Sequence, residues 1–154
     1  MSATASRSAG CPLCEGVGGE LVHQGPRWRV IRANEAGFPA FYRVVWSDHV
    51  AEFSDLAPDD RHHCMDVVAG VERALRDTLQ PDKVNVATLG NMVPHLHWHV
   101  IARFRWDSHF PSPVWAAPQR PVSVDRQQEL LARLATADKR ICALLARTSP
   151  RLAP

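Results

Sequence analysis

The chain has 154 residues, of which 45% are hydrophobic and 22% charged, values typical of a soluble globular protein with one core. Its formal net charge of +2, without a block of lysine and arginine, argues against a nucleic-acid or acidic-membrane partner. No apolar run approaches the ~20 residues that a membrane-spanning helix requires. Residues 1–10 lack the apolar segment of a signal peptide, so we expect a disordered N-terminal tail on a cytoplasmic protein.

The first motif in the chain is Cys11-Pro12-Leu13-Cys14, two thiols separated by two residues. On its own it fits a redox pair, half of a zinc site or two unrelated thiols. A redox pair of the thioredoxin type should lie between a strand and a helix, whereas a glycine-rich run follows here, so half of a zinc site is the better interpretation. Cys64 and Cys142 fall in helical patterns and are expected in the core, and the lack of a secretory signal argues against a disulfide framework.

β-rich segments and helical segments together predict an α+β fold, with about five antiparallel strands, one packed helix and an additional C-terminal helix. Turn residues separate the β-rich segments, which lie at residues 20–24, 27–32, 41–46, 83–89 and 94–101. The packed helix is expected over residues 56–79, with Pro58 in its first turn. A capping box at Asp125-Arg126-Gln127-Gln128 is expected to open the second helix, which Ser149-Pro150 ends.

Three histidines alternate with apolar residues in the stretch from Pro94 to Ile101. On a strand this alternation places His95, His97 and His99 on one face and the apolar residues on the other. Three imidazoles on one face fit a metal site or a histidine nucleophile better than a half-buried strand that uses histidine only as its polar residue.

The stretch from His95 to Ile101 resembles the signature of the histidine triad (HIT) family, His-apolar-His-apolar-His-apolar-apolar, at every position. The wider resemblance covers residues 11–105. It implies a HIT-like domain over residues 11–116 followed by a C-terminal extension over residues 117–154. It also implies a homodimeric nucleotidyl hydrolase or transferase that acts on nucleoside phosphoramidates or dinucleoside polyphosphates.

The same resemblance assigns roles to single residues. It implies that His97 attacks the α-phosphate of a nucleotide, and that water then releases the nucleoside monophosphate from the nucleotidyl-histidine. His99 is expected to donate hydrogen bonds to the phosphate oxygens. Gly90 and Asn91, in the loop before the triad, and Asn85, on the preceding strand, match positions that lie near the phosphates in the family.

Two positions leave alternatives open. Asn34, in the loop before the third strand, is the nearest candidate for the family's ribose-binding residue, although an ungapped match falls on Ala33. An asparagine that only favours the turn is the alternative. Met92 stands where some family members have a serine that assists the leaving group. The runner-up function is therefore a non-catalytic, zinc-stabilised scaffold that binds nucleotide.

Some HIT-like proteins carry an N-terminal C-x-x-C pair whose metal is completed by a histidine after a middle strand and by the first triad histidine. The matching residues here are Cys11, Cys14, His49 and His95. The resemblance thus implies a closed, structural zinc site and no catalytic cofactor. A zinc hydrolase that uses the three triad histidines as ligands is the weaker alternative, because alternate positions on one strand rarely converge on one metal ion.

Residues 102–115 are dense in aromatic side chains and proline. This segment is expected either to plug the end of the core or to form a lid or subunit contact. In the second case Trp106, His109 or Trp115 would touch the leaving group.

Overall fold

One antiparallel sheet of five strands organises the computed structural model, which describes residues 6–148. The strands are β1 (Glu20–Gln24), β2 (Trp28–Arg32), β3 (Phe41–Trp46), β4 (Lys83–Ala87) and β5 (His97–Arg103), in the order β1-β2-β3-β5-β4. The helices are α1 (Pro12–Glu15), α2 (Pro58–Leu79), α3 (Val124–Leu131) and α4 (Leu134–Leu145), and a 3-10 turn spans Phe53–Asp55. The predicted α+β class and five-stranded antiparallel sheet are confirmed.

The two faces of the sheet have different coverings. Val44 on β3 and Val100 on β5 belong to the main core, with Val67 and Val71 of α2 and residues of α4. The residues that alternate with them, such as Ile101, lie in small separate clusters on the opposite face. Because β3 and β5 are central strands, the triad lies in the middle of this second face, opposite the face that α2 and α4 cover.

The triad strand is shorter than predicted. Regular pairing with β3 begins at the Val45–His97 pair, so His95 precedes β5 in a bend. The reason is local, since the His95 N–H donates to the carbonyl of Val93 at 2.8 Å and the Leu96 N–H donates to Val50 at 2.7 Å. The expectation that all three histidines belong to one strand was therefore wrong for His95.

Other predicted boundaries also change. The fourth strand ends at Ala87 rather than at residue 89, and α2 begins at Pro58 rather than at residue 56. Pro58 occupies the first turn of α2, as predicted, and its missing N–H is not needed there. The one-turn helix α1, over the C-x-x-C motif, was not predicted.

The C-terminal helix is divided into α3 and α4, which together bury Leu130, Leu134, Ile141 and Leu145 in the main core. The predicted capping box is wrong, because α3 begins at Val124 after Ser123 without a side-chain cap. α4 ends at Leu145, earlier than the predicted end at Ser149-Pro150, which lies outside the described residues. Across residues 6–148, no helix combines the length and apolar character needed to cross a bilayer.

The N-terminal segment contacts the domain where the structure describes it. The Ser6 N–H donates to the Asp48 carboxylate at 2.9 Å, and the His49 N–H donates to the Ser6 carbonyl at 2.9 Å. Residues 1–5 of the predicted tail lie outside the described part. These contacts bring α1, with Cys14 in it and Cys11 just before it, to the end of β3, next to the bend that carries His95.

Candidate active site and metal centre

His97 is the first residue of β5, and its imidazole is buried with 8% of its surface exposed. Its Nδ1 lies 2.6 Å from the carbonyl oxygen of His95. Because a carbonyl oxygen only accepts, Nδ1 carries the hydrogen and Nε2 keeps its lone pair. Among residues 6–148, Nε2 of His97 has no hydrogen-bond partner, so this lone pair is available to an electrophile.

His99 lies two residues further along the same strand face, with its ring centroid 5.0 Å from that of His97. Its Nδ1 accepts a hydrogen bond from Nε of Arg43 at 3.4 Å. An arginine has no acceptor, so this contact places the hydrogen of neutral His99 on Nε2. The two histidines therefore have opposite tautomers, one with a free lone pair on Nε2 and one with an N–H there.

The electrostatic surroundings keep both imidazoles neutral. Burial lowers the pKa of His97 below its ordinary value, a shift that its hydrogen bond to the His95 carbonyl opposes and the Arg43 charge reinforces. The pKa of His99 is lowered to about 3. Burial is the largest cause, and the neighbouring His97 and Arg43 contribute to the same shift. At neutral pH His97 thus has the protonation state of a nucleophile and His99 that of a neutral donor.

The loop between β4 and β5 leads into the triad. Gly90 has φ +72°, in the left-handed region that glycine adopts without strain. Thr88 donates from Oγ1 to the carbonyl of His97 at 2.7 Å, which fixes the start of this loop against β5. Asn91 and Met92 are exposed on the loop, and 95% of the Met92 surface is accessible.

Asn85 on β4 belongs to a buried ionic network on the same sheet face. Its Oδ1 accepts from Arg103 at 2.7 Å, and Arg103 also binds both carboxylate oxygens of Asp107, at 2.8 and 3.1 Å. Burial alone would raise the pKa of Asp107, but Arg103 and the backbone amides around it bring that pKa below its usual range. The amide NH2 of Asn85 remains able to donate to a ligand.

The β2–β3 loop places the ribose candidate on the surface. Asn34 is exposed, whereas Ala33, the ungapped match, is buried with Phe41 and Ile101. A buried alanine cannot bind a ribose, so Asn34 stays the candidate of the two. The next residue, Glu35, binds Arg43 through its Oε1 at 2.9 Å.

The aromatic segment after β5 brings one of its three candidates to the triad. The ring centroid of Trp115 lies 5.3 Å from that of His99, and 54% of the Trp115 surface is exposed. Trp106 instead stacks on Phe104 against the main core, at a centroid distance of 5.0 Å. His109 contacts the ring of Phe38 at 5.1 Å.

A second cluster lies beside the triad, formed by the side chains of Cys11, Cys14, His49 and His95. Their four ligand atoms all lie within 4.8 Å of one another. His95 Nδ1 is 3.5 Å from the Cys11 sulfur and 3.4 Å from the Cys14 sulfur, and His49 Nδ1 is 3.4 Å from Cys14. All four residues are those that the sequence resemblance predicted.

This geometry fits a zinc ion. Tetrahedral bonds of the usual Zn–S and Zn–N lengths separate neighbouring ligand atoms by roughly 3.3–3.8 Å, and the three distances above fall in that range. The Nε2–H of His95 donates to the carbonyl of Trp46 at 2.7 Å, which orients Nδ1 towards the two thiols. Within residues 6–148 this is the only group of metal-binding side chains, so the alternative of a metal held by the three triad histidines is not supported.

Two residues of the site were not predicted from the sequence, namely Arg43 and Arg103. Both are arginines within strands that are otherwise mostly apolar. Arg43 alternates with the core residues Tyr42 and Val44, a pattern that placed it on the face of the triad. That signal was present in the sequence, but the pairing of β3 with β5 was needed to interpret it.

Comparison with known proteins identifies the family of the chain. The sequence model of the HIT domain matches residues 18–106, more than half of the chain, so the chain belongs to the HIT family. No curated protein resembles it in sequence closely enough to count as a match.

Solved structures share the fold over most of the chain. A histidine triad protein from Bradyrhizobium japonicum has 28% identity and a TM-score of 0.69, covering 88% of this chain and 98% of its own. One from Marinobacter aquaeolei has 25% identity and a TM-score of 0.63, covering 82% and 93%. A zinc-bound family protein from Mycobacterium smegmatis, 18% identical with a TM-score of 0.55, covers 89% and 91% and shares the fold.

Proposed function

We propose that this protein is a nucleotidyl hydrolase or transferase that attacks the α-phosphate of a nucleoside phosphoramidate or dinucleoside polyphosphate. The observation that supports this most directly is the hydrogen bond from His97 Nδ1 to the His95 carbonyl. It leaves the Nε2 lone pair of a neutral, buried imidazole without a partner among the described residues. Such an imidazole is an activated nucleophile.

In the proposed reaction, His97 Nε2 forms a bond to the α-phosphorus and the bond to the leaving group breaks. The His95 carbonyl stabilises the positive charge that develops on the His97 ring. His99 donates its Nε2–H to a phosphate oxygen as negative charge develops there. Water then attacks the phosphorus of the nucleotidyl-histidine, the P–N bond breaks, and the nucleoside monophosphate leaves.

Further donors are proposed around the phosphates and the ribose. Asn91, the backbone N–H groups near Gly90 and the amide of Asn85 would contact phosphate oxygens, and Asn34 would contact the ribose. Loss of one donor to a developing oxyanion typically costs roughly 2.7–4 kcal/mol of barrier. No catalytic cofactor is proposed.

We further propose a structural zinc ion at Cys11, Cys14, His49 and His95. When bound, it would link the N-terminal segment to the bend before β5. The Mycobacterium smegmatis structure is described as zinc-bound, so a protein of this fold holds the same metal.

A homodimer is part of the proposal. Strand β4 lies at one edge of the sheet, and its Val86 is 39% exposed while Leu89, just beyond, is 46% exposed. An uncovered edge with apolar side chains favours association with a second chain. Analytical ultracentrifugation of wild-type and Val86→Lys protein tests this, since the lysine should give monomers.

One observation favours the alternative of a non-catalytic nucleotide-binding scaffold. Met92 has no hydroxyl with which to assist a leaving group, and its side chain extends into solvent. This alternative predicts stoichiometric nucleotide binding without product on a broad substrate panel.

The test is to mix the protein with adenosine phosphoramidate or diadenosine tetraphosphate, quench rapidly and search for an AMP adduct by mass spectrometry. We expect the adduct on His97, decaying to free AMP. His97→Ala should still bind nucleotide but form no adduct, whereas His62→Ala, at an exposed position on α2, should behave as wild type. Full turnover by His97→Ala, or no adduct and no AMP from folded wild-type protein, would refute the proposal.

A further inference from the structure

Arg43 and His99 form a direct cross-strand pair, Arg43 on β3 and His99 on β5. Directly opposed residues of antiparallel strands share a face and have their Cβ atoms about 4.5–5.5 Å apart. Here the contact is polar, with Arg43 Nε donating to His99 Nδ1 at 3.4 Å. The backbone register of the two central strands therefore fixes which residue faces the second imidazole of the proposed reaction.

The guanidinium of Arg43 is itself held in place from two sides. Its Nη2 donates to Oε1 of Glu35 at 2.9 Å, and its central carbon lies 5.4 Å from the centroid of the Phe41 ring. The Arg43 side chain is 22% exposed, so it is neither a core packing residue nor a freely solvated one. A planar group with two contacts of this kind presents Nε in one direction.

We propose that Arg43, oriented by Glu35, is a positioning residue that holds His99 in its Nε2–H tautomer and so aims a neutral donor at the substrate phosphate. This inference rests on the proposed nucleotidyl transfer for its consequence. The contact between Arg43 and His99 does not depend on that reaction. Arg43 acts through His99 and is not itself assigned a contact with substrate.

The physical argument concerns the two nitrogens of a neutral imidazole. One is a donor and the other an acceptor, and the partner of one nitrogen decides the role of the other. An arginine side chain offers only donors and stays charged throughout the working pH range, so Nδ1 of His99 must accept. Nε2 then carries the hydrogen that a phosphate oxygen needs.

The charges around His99 also favour its neutral form. From its own strand it faces the neutral ring of His97, from β3 it faces the Arg43 cation, and Phe41 and Trp115 offer it only aromatic rings. Glu35 lies behind Arg43, bound to its guanidinium. A second positive charge on His99 would face Arg43 directly, so the fixed cation of the site is the arginine and the histidine remains a donor without charge.

The experiment compares Arg43→Met, which removes the charge and the donor, with Arg43→Lys, which keeps the charge but lacks Nε–H. Nitrogen-15 NMR of the histidine rings in the free protein reports the tautomer of His99, and AMP release from adenosine phosphoramidate reports kcat and KM. Arg76→Met is the matched control, because Arg76 is 70% exposed on α2. Its ion pair with Glu72 is a long one, with 3.9 Å between Nη1 and Oε1. Circular dichroism and thermal unfolding establish that each variant is folded.

We expect wild-type His99 to show the Nε2–H signature, and Arg43→Met to show a mixture of tautomers and a higher pKa of His99. The kcat of Arg43→Met should fall roughly 10- to 100-fold, less than the 10²- to 10³-fold loss that follows removal of a direct donor. Arg43→Lys should keep the low pKa of His99 but hold the tautomer less firmly, because the flexible ammonium lacks the planar geometry that directs Nε–H of arginine at Nδ1. His97, whose acceptor is a backbone carbonyl, should keep its Nδ1–H signature in every variant.

Should Arg43→Met fail to fold, Glu35→Gln provides the second variant, since Glu35 is 44% exposed and its change leaves the strand intact. It should shift the tautomer signal of His99 in the same direction by a smaller amount. An unchanged His99 signature in Arg43→Met, or a rise in KM alone, would overturn the inference. A tautomer that depends on Arg43 in a protein that forms no nucleotidyl-histidine would instead support the positioning role and refute the proposed function.

Discussion

His95 connects the metal centre to the triad through two different atoms. Its carbonyl oxygen accepts the Nδ1–H of His97 at 2.6 Å, while its own Nδ1 lies 3.4 Å from the Cys14 sulfur. A change in the metal centre that moves the His95 backbone will therefore move the acceptor that orients the imidazole of His97. The bend before β5, which interrupts the strand at His95, is the structural basis of this connection.

Removal of a cysteine ligand should thus lower turnover although it changes no triad histidine. We expect Cys14→Ser to lose bound zinc, unfold at a lower temperature and release AMP about 10- to 100-fold more slowly, the usual cost of disturbing the groups that orient a metal site. Zinc content is measured by inductively coupled plasma mass spectrometry and stability by thermal unfolding.

Cys142→Ser is the control, because Cys142 lies on α4 outside the metal centre and its thiol contacts the Val22 carbonyl. It should keep its zinc and its turnover. Normal turnover by a Cys14→Ser protein shown to lack zinc would contradict the connection through His95.

The sequence predicted most of the sheet from short-range patterns, and it predicted the metal centre from one such pattern together with the family resemblance. A run of β-favouring residues identified β3, the alternation of histidine with apolar residues identified β5, and the C-x-x-C spacing identified Cys11 and Cys14 as half of a site. His49 and His95 followed from the family resemblance, and the structure brings their Nδ1 atoms to the thiols. The strand patterns and the C-x-x-C pair could be predicted because each is contained in a few consecutive residues.

Long-range pairing accounts for what was missed. Arg43 is 56 residues from His99, and only the antiparallel register of β3 and β5 shows that they are opposed. The division between α3 and α4 likewise follows no glycine or proline, and Arg133 at that point donates to the carbonyl of Thr78 on α2. Tertiary contacts, rather than local propensity, determined these positions.

Stability should depend on pH through His99. Its pKa is about 3 in the folded protein and near 6.5 in an unfolded chain, so between these values only the unfolded chain binds the proton. The free energy of unfolding should therefore fall as pH falls from about 6.5 towards 3, by up to about 1.4 kcal/mol per pH unit from this residue.

Urea unfolding of wild type and His99→Asn across this pH range measures the effect as a difference of slopes. In a plot of the free energy of unfolding against pH, the slope of the variant should be smaller than that of wild type by up to the equivalent of one bound proton. This difference in slope does not depend on the absolute stability of the variant. His62→Asn, at an exposed position on α2, is the control for loss of an imidazole. Equal slopes for wild type and His99→Asn would contradict a neutral, buried His99.

The ion pair between Arg103 and Asp107 should be a major source of stability for the segment after β5. Both side chains are at most 4% exposed, and Arg103 also binds Asn85 and the carbonyl of Ser112 at 2.8 Å. Arg103→Met leaves a buried carboxylate without its cation, and we expect a loss of about 3–5 kcal/mol in the free energy of unfolding.

Arg126→Met tests whether that loss is specific to the buried pair. Arg126 and its partner Glu129 are 60% and 67% exposed, so removal of the charge should change the free energy of unfolding by about 0.5 kcal/mol or less. Chemical unfolding at pH 7 provides both values. Similar small changes in the two variants would show that the buried pair is not needed.

Trp115 should affect substrate binding and Trp106 stability, although both belong to the aromatic segment after β5. The Trp115 ring is half exposed beside His99, where a nucleotide base or an aromatic leaving group would find a stacking surface. Trp115→Ala should raise KM about 5- to 150-fold, as loss of about 1–3 kcal/mol of stacking implies, with little change in unfolding temperature.

Trp106 instead packs on Phe104 and the main core, so Trp106→Ala should cost up to about 3 kcal/mol of stability and leave KM near the wild-type value. Trp115→Phe keeps an aromatic ring and should restore much of the binding. Steady-state kinetics with a series of leaving groups distinguish a contact of Trp115 with the leaving group from a contact with the base. In the first case the effect of the substitution on KM should vary with the leaving group, and in the second it should be the same for all of them. If KM stays constant in Trp115→Ala for every substrate, the ring serves only to cover His99.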